Sequence, residues 1–265
     1  MRAALVFVAI AGCSFSPSDA SAIDATSGAR DDAPSTLRSD GGTLDAFADI
    51  ALVQIASGVA NPWGDGGSTI AASFPAAIAQ GDVVAVFVTY AGNTTVQTIA
   101  DDAGNSYTKL EDIEDGGDTQ KSATGYGIAA AAGATTIIVT FADSKCCRLL
   151  IAHELHGVDA GQPLDAHSSH EDDNAKSLPD AVTSDSMTTS SDRDYVFAAT
   201  SNASNEGGEV ISAGTGMQLR ANPPVGNGNP TASEDLIQVT HGAFASTFTY
   251  SSGGAALTMQ MAFRP

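Results

Sequence analysis

The sequence predicts an all-β protein, a two-sheet antiparallel β-sandwich of jelly-roll type, which follows a disordered N-terminal tether. From residue 50 onward, short apolar or alternating runs are separated by Gly, Asn, Asp and Pro, which is typical of such sandwiches. Strand-like runs recur at short intervals. The alanine-rich stretch 128–134 is short and interrupted by glycine, so we expect no substantial helix. The sequence shows no repeat of fixed period.

The first residues indicate export. A short positive start, Met1-Arg2, precedes an apolar run over residues 3–11 that is shorter than the roughly 20 residues a membrane-spanning helix needs. Ile10-Ala11-Gly12-Cys13 resembles the lipobox of bacterial lipoproteins. This resemblance implies cleavage before Cys13, acylation of that cysteine with a chain such as palmitate, and attachment to the cell envelope. The residue after the cysteine is Ser14 rather than aspartate, which within the resemblance implies the outer membrane.

Composition divides the chain into three parts. Residues 1–12 are the predicted signal peptide. Residues 13–49 comprise the lipidated cysteine and a linker rich in Ser, Asp, Ala, Thr and Gly, which lacks the apolar periodicity needed to fold and is predicted to be a disordered tether. Residues 50–265 are predicted to form the β-sandwich domain.

Hydrophobic patterns predict several strands within that domain. The run Val83–Val88 is continuously apolar, which predicts a strand buried at the centre of a sheet. Residues 257–263 and 244–250 alternate between apolar and polar, and we expect them to pair as a terminal hairpin around a turn at 251–254. Further strands are predicted at 135–141, 148–155 and 195–200.

Several motifs are similar to those of a large group of uncharacterised bacterial exported β-sandwich domains, often found on lipoproteins. The segments that carry the similarity are Gly81–Val86, Asp102–Thr108, Glu154–Asp159, Pro163–Asp165 and Met261–Arg264. The resemblance implies a β-sandwich, and it implies no particular reaction.

The formal net charge of -20 disfavours nucleic acid and anionic headgroups as partners. Cations such as calcium are therefore candidate ligands, although acidity also keeps an exported protein soluble. The oxygen-rich loop that contains Asp112, Glu114, Asp115 and Asp118 is one candidate site, but it lacks the ligand order of an EF-hand. His167 and His170, which lie near carboxylates, are a second candidate metal site or a solvated loop.

Glu154 is predicted to lie inside an apolar strand, where an unpaired carboxylate would be costly. It either pairs with Arg148 or Lys145 or serves as a ligand-binding carboxylate in a groove. His153-Glu154-Leu155-His156 is one residue shorter than the zinc-protease motif. On a strand its two histidines point to opposite faces, so we exclude that class of enzyme.

Two adjacent cysteines, Cys146 and Cys147, remain once Cys13 is acylated. They are either two thiols on opposite faces of a strand or a strained vicinal disulfide.

Function is less constrained than fold. The chain lacks a G-x-S-x-G elbow and a phosphate-binding loop. The single tryptophan, Trp63, lies beside Asp65 in a glycine-rich loop and is either an aromatic ligand platform or a cap on the sandwich. We expect a lipid-anchored, non-catalytic structural, adhesive or ligand-binding module, whose partner is a glycan or a surface protein. The alternatives are a carbohydrate-binding module, with or without calcium, and a glycan hydrolase.

Overall fold

The computed structural model describes residues 49–60, 67–117, 120–172, 180–203, 209–224, 229–251 and 254–265. The predicted signal, the lipidated Cys13 and the tether up to residue 48, as well as Trp63, Asp65 and Asp118, lie outside these residues. The described part contains strands and turns and no helix. The predicted all-β class with antiparallel pairing is confirmed.

The described residues form 18 strands. Their bounds are β1 Ala51–Ala60, β2 Gly67–Ser73, β3 Val83–Ala91, β4 Val96–Asp101, β5 Tyr107–Glu114, β6 Gln120–Ile128, β7 Thr136–Lys145, β8 Arg148–His156, β9 Leu164–Asp172, β10 Asp180–Thr183, β11 Met187–Thr188, β12 Asp194–Asn202, β13 Ile211–Ser212, β14 Gln218–Ala221, β15 Thr231–Gln238, β16 Ala243–Phe244, β17 Thr247–Tyr250 and β18 Ala256–Phe263. The predicted strands at 83–88, 135–141, 148–155 and 195–200 correspond to β3, β7, β8 and β12.

These strands pair into five sheets. Sheet A has the order β1-β8-β3-β6-β5, and sheet B has the order β2-β7-β4. Sheet C has the order β14-β15-β12-β18-β9, and sheet D has the order β10-β17-β13. The short strands β11 and β16 pair with each other as sheet E.

The same strand order occurs twice along the chain. The first repeat, β1 to β8, forms sheets A and B, and the second repeat, β9 to β18, forms sheets C, D and E. With β11 and β16 set aside, β1 to β8 correspond in order to β9, β10, β12, β13, β14, β15, β17 and β18. Under this correspondence, the strand order of sheet A matches that of sheet C read in reverse, and the order of sheet B matches that of sheet D. The jelly-roll arrangement, in which the first strand pairs with the last, is therefore present in both repeats.

Sheets A and C pack against each other and form a central core. On sheet A, Val83 lies between Ile128 and Leu155, and on sheet C its counterpart Tyr195 lies between Ile237 and Phe263. All six side chains belong to this one core. The two repeats thus bury equivalent register positions against each other.

Side-chain sizes are complementary across this core. The third strand of the first repeat contributes Ala85 and then Phe87, whereas the corresponding strand of the second repeat contributes Phe197 and then Ala199. A large ring in one sheet therefore corresponds to a small side chain in the other, as close packing of two sheets requires.

The outer faces of sheets A and C are also covered. Val84, Val86 and Val88 pack on sheet B together with Ile137, Val139 and Phe141. Val196 and Ala198 lie beneath sheets D and E. Strands at the centre of sheets A and C are consequently buried on both faces, and this explains the continuous apolar run at 83–88.

The prediction of a terminal hairpin is wrong. β17 pairs with β10 and β13 in sheet D, whereas β18 pairs with β9 and β12 in sheet C. β17 and β18 therefore belong to different sheets. Alternation identifies which face of a strand is buried, but it does not identify the partner strand.

The two adjacent cysteines lie in the turn between β7 and β8. Their Sγ atoms are 2.6 Å apart, and Cys147 has a positive φ of 60°. The side chains therefore lie together on one side of the turn rather than on opposite faces of a strand.

Replacing the buried ring of Phe197 tests whether the repeats share one core. We expect Phe197→Ala to lower the free energy of unfolding by about 3–5 kcal/mol, because it leaves a cavity between sheets A and C. Unfolding in urea, followed by circular dichroism, should remain one transition. The exposed Val239→Ala is the matched control. Two separate transitions in the unsubstituted chain would contradict a shared core.

Candidate functional site

A cavity of about 350 Å³ lies where the two repeats meet. This volume is within the range of small-ligand sites. We call it the arginine cavity, and it is lined by Ile50, Leu52, Tyr195, Gly216, Gln218, Arg220, Asp235, Leu236 and Ile237.

Strand geometry brings these residues together. Gln218 on β14 lies directly opposite Asp235 on β15, and Arg220 is the extra residue where the register shifts between Leu219 and Ala221. Ile237 lies opposite Tyr195 on β12. The remaining wall is Ile50 and Leu52, at the start of the first repeat. The cavity therefore requires both repeats.

Arg220 and Asp235 form an ion pair in the cavity wall. Nε of Arg220 donates to both Oδ1 and Oδ2 of Asp235 at 2.8 Å each. The carboxylate is only 2 % exposed, and it accepts a third hydrogen bond from the Tyr195 hydroxyl at 2.5 Å. Burial and the nearby Asp235 raise the pKa of Tyr195, so its hydroxyl stays protonated and donates.

The chain of hydrogen bonds continues into the central core. Because Tyr195 donates to Asp235, its oxygen accepts from Nδ1 of His153, 3.0 Å away. Nε2 of His153 then accepts from the hydroxyl of Ser233 at 2.9 Å. Because the Asp235 carboxylate can only accept, it fixes the donor and the acceptor of each hydrogen bond in this series. The ring of His153 also meets Phe197 edge-on, with centroids 4.7 Å apart.

His153 stays neutral in this environment. It is fully buried, and burial first, then the positive charge of Arg220, lower its pKa to about 3. Both ring nitrogens are occupied by protein partners. The imidazole therefore orients Tyr195 and does not reach the cavity as an acid or base.

The outer edge of Arg220 is the group that this arrangement offers to a ligand. The side chain is 28 % exposed, and within the described ranges its Nη1 and Nη2 atoms have no hydrogen-bond partner. Asp235 holds Nε from behind, so the guanidinium keeps one orientation. The site can donate hydrogen bonds from fixed positions beside the apolar side chains of Ile50, Leu52 and Ile237.

Glu154 lies elsewhere, at the outer core of the first repeat. It is 1 % exposed, and its two oxygens accept from the backbone N–H of Ala79, at 3.0 Å, and from the Gln54 amide. The carboxyl also contacts Asp82. Burial raises the pKa of Glu154, and the bonds from Ala79 and Gln54 oppose that rise. The partner is therefore not Arg148, which donates to the Thr69 carbonyl.

The candidate metal ligands have separate protein partners. Asp112 accepts from Tyr90 at 2.5 Å and pairs with Lys109, Glu114 pairs with Lys121, and Asp115 accepts from the Gln120 N–H. His167 contacts Glu111, and His170 contacts Asp185. Among the residues the structure describes, no three His, Cys, Asp or Glu side chains are grouped to hold a metal ion.

Each repeat contains a pair of buried carboxyl groups that interact with each other. Asp82 and Asp194 occupy equivalent positions, whereas their partners do not, because Glu154 lies on β8 and Asp165 lies on β9, the counterpart of β1. Asp82, just before β3, contacts Glu154, and its counterpart Asp194, at the start of β12, contacts Asp165. A basic residue at the end of the last strand completes each cluster, His156 beside Asp82 and Arg264 beside Asp165.

The second of these pairs holds one proton at neutral pH. Burial and then the neighbouring Asp165 raise the pKa of Asp194 to about 8. The pKa of Asp165 is lowered in spite of its burial, because Ser190 and Arg264 donate hydrogen bonds to its carboxylate. Protonated Asp194 beside ionised Asp165 avoids two adjacent buried charges.

Sequence reasoning did not identify Tyr195, Arg220 or Asp235 as site residues. One usable signal was present. Asp235 follows Glu234 in the strand run Ser-Glu-Asp-Leu-Ile, and a carboxylate inside a strand needs a partner, as was argued for Glu154. For His153 the sequence offers only the incomplete zinc-protease motif. The predicted opposite orientation of the two histidines is confirmed, since His153 is buried in the core and His156 is exposed.

The fold and the cavity define a class of all-β protein with two jelly-roll repeats and a polar cavity between them. No family model, no curated protein and no solved structure matches the chain. In the described part of the chain, no helix has the length and apolar character needed to cross a membrane.

Replacing His153 with leucine tests the proton assignment. We expect His153→Leu to cost about 1–3 kcal/mol of unfolding free energy at pH 7, because the oxygens of Tyr195 and Ser233 lose a buried partner. The folded-state pKa of about 3 lies below the unfolded value, which is about 6.5. The contribution of neutral His153 is therefore complete above that unfolded value and is lost as the pH falls toward 3.

Urea unfolding at pH 7, 5.5 and 4 measures this effect. The difference between the unsubstituted chain and His153→Leu should shrink with falling pH, while the exposed and non-ionisable Val239→Ala should change little at any pH. A difference that stays constant with pH would contradict a neutral, fully bonded His153.

Proposed function

We propose that this chain is a lipid-anchored cell-envelope protein whose β-sandwich body binds a neutral saccharide in the arginine cavity without catalysis. The observation that carries the proposal is the guanidinium of Arg220, held from behind by the buried Asp235 while Nη1 and Nη2 have no hydrogen-bond partner among the described residues.

The chemistry of the cavity favours a hydroxyl-rich ligand. Arg220 supplies two nitrogen donors, and the exposed amide of Gln218 can both donate and accept. Ile50, Leu52 and Ile237 provide apolar surface beside these groups. A sugar ring has the matching combination, with hydroxyl groups at its edge and C–H groups on its faces.

Charge favours a neutral ligand over an anionic one. Asp235 already compensates the charge of Arg220, so the cavity carries little net positive charge. The whole chain has a formal charge of -20, and this field repels anions. A neutral sugar can form the hydrogen bonds without the long-range electrostatic repulsion that an anion would meet.

Binding without catalysis is supported by the state of the ionisable groups. Asp235 accepts three hydrogen bonds, and His153 has both nitrogens occupied. Neither group is available to take a proton from a bound molecule. The glycan hydrolase suggested as an alternative has no specific observation in its favour.

Titration calorimetry with the full chain tests this proposal. The probes are neutral tetrasaccharides of glucose, mannose, galactose, xylose and N-acetylglucosamine. For the tetrasaccharide that binds, we expect Arg220→Gln to weaken binding at the arginine cavity about tenfold or more, since a charge-assisted hydrogen bond is lost. Arg193→Gln, an exposed arginine paired with Asp49, should leave the affinity unchanged.

Two additional titrations test the charge argument and the dependence on calcium. A tetrasaccharide of uronic acids should bind more weakly than the neutral probes, and tighter binding of the uronate would contradict the charge argument. Titration with added calcium and with a chelator shows whether saccharide binding requires calcium, as the calcium-dependent alternative predicts. Failure of all neutral probes to bind the unsubstituted chain would remove saccharide binding as the function.

The anchor is proposed from the sequence. Cys13 would carry the lipid, and residues 14–49 would hold the β-sandwich body away from the membrane surface. Support comes from the short apolar run that ends in Ile-Ala-Gly-Cys. Attachment at the outer membrane is proposed because serine follows the cysteine.

Metabolic labelling tests the anchor. When the full chain is produced in a double-membraned bacterium that is fed an alkyne analogue of palmitate, the unsubstituted chain should incorporate the label and fractionate with the outer membrane. Cys13→Ala should abolish incorporation, and Cys147→Ala should not. Equal labelling of the chain and Cys13→Ala would contradict acylation at Cys13.

A further inference from the structure

A second cavity, of about 570 Å³, lies at the junction of the two repeats. We call it the tyrosine groove. It is lined by Ala103, Gly104, Asn105, Ser106, Thr108, Tyr126, Gly127, Ile128, Ala130, Ala131, Ala160, Gly161 and Pro163.

Strand register makes this groove the counterpart of the arginine cavity. Thr108 on β5 lies directly opposite Tyr126 on β6, as Gln218 on β14 lies opposite Asp235 on β15. Two residues further along β6, Ile128 pairs with Val83. The same step along β15 leads to Ile237, which pairs with Tyr195. The two cavities therefore occupy the same place in the two repeats.

The walls from the opposite repeat are also equivalent. The start of the first repeat, Ile50 and Leu52, closes the arginine cavity, which is built on β14 and β15. The segment that leads into β9, at the start of the second repeat, closes the tyrosine groove with Ala160, Gly161 and Pro163. β1 contacts β14, and β9 contacts β5. Each repeat thus completes the cavity of the other.

The groove presents hydroxyl groups without protein partners. Within the described part of the chain, the side-chain hydroxyl groups of Ser106, Thr108 and Tyr126 make no hydrogen bond to a protein group, while the backbone of Ser106 and Thr108 pairs with neighbouring strands. Tyr126 is held in place by Phe263, whose ring it meets edge-on with centroids 5.8 Å apart. No charged side chain is among the residues that line the groove.

We propose that the tyrosine groove is a second saccharide site, so that one chain binds two units of a neutral glycan. The inference rests on the proposed function of the arginine cavity and extends it. Hydroxyl groups that both donate and accept are suited to an uncharged, hydroxyl-rich ligand. Two sites on one rigid body raise the apparent affinity for a polymer when both can be engaged at once.

Stoichiometry tests this inference. Calorimetry with the neutral tetrasaccharide that binds should give two sites for the unsubstituted full chain. The double variant Thr108→Val, Tyr126→Phe removes two hydroxyls and keeps the ring against Phe263, and it should reduce the stoichiometry to one. Thr98→Val, on the exposed face of β4, is the matched control and should retain two sites.

Arg220→Gln assigns the sites. In this variant the remaining site should be the tyrosine groove, and adding the double substitution should abolish binding. Retention on an immobilised polysaccharide of the same sugar should fall about tenfold or more when either site is removed, because bivalent attachment is lost.

The outcomes distinguish the two proposals. A single site that Arg220→Gln removes and the groove substitutions leave intact would overturn the second site, while saccharide binding would stand. A single site that only the groove substitutions remove would support the groove and overturn the arginine cavity. No binding by the unsubstituted chain would overturn both.

Discussion

The structure depends on the contact between the inner faces of sheets A and C. Each of these sheets is apolar on both sides, so a single repeat with one covering sheet would leave the other face in water. The two repeats resolve this by covering each other. Ala85 and Phe87 in one sheet, with Phe197 and Ala199 in the other, fill the space between them. Both cavities lie at this junction, and their existence follows from it.

Much of the fold was predictable, because the spacing of apolar residues in one segment indicates which faces of that strand are buried. The run at 83–88 predicts a strand buried on both faces, and β3 is one. The pairing of the strands and the repeated strand order were not predictable in this way. The alternation around Phe248 is correct, yet its strand pairs in sheet D rather than with β18. The repeated strand order is hard to recognise from the sequence, since residues at equivalent positions differ, as with Val83 and Tyr195 or Leu155 and Phe263.

The candidate site was harder to foresee, because it joins distant parts of the sequence. His153, Tyr195, Arg220 and Asp235 come from four strands of both repeats, and no local motif connects them. Burial lowers the pKa of His153 and raises the pKa of Asp194. Neutral His153 favours the folded state as the pH rises, whereas protonated Asp194 favours it as the pH falls from about 8. The two groups therefore change the free energy of unfolding in opposite directions as the pH changes.

The duplicated strand order has a consequence for how this molecule can change. In a symmetric dimer of identical chains, every substitution at the interface occurs twice and alters both copies of a site together. Here the two equivalent positions are encoded separately. Asp235 and Tyr126 already differ, and so do Gln218 and Thr108, although each pair occupies the same place in its repeat. The two halves can therefore diverge in chemistry one residue at a time while the shared core keeps them in register.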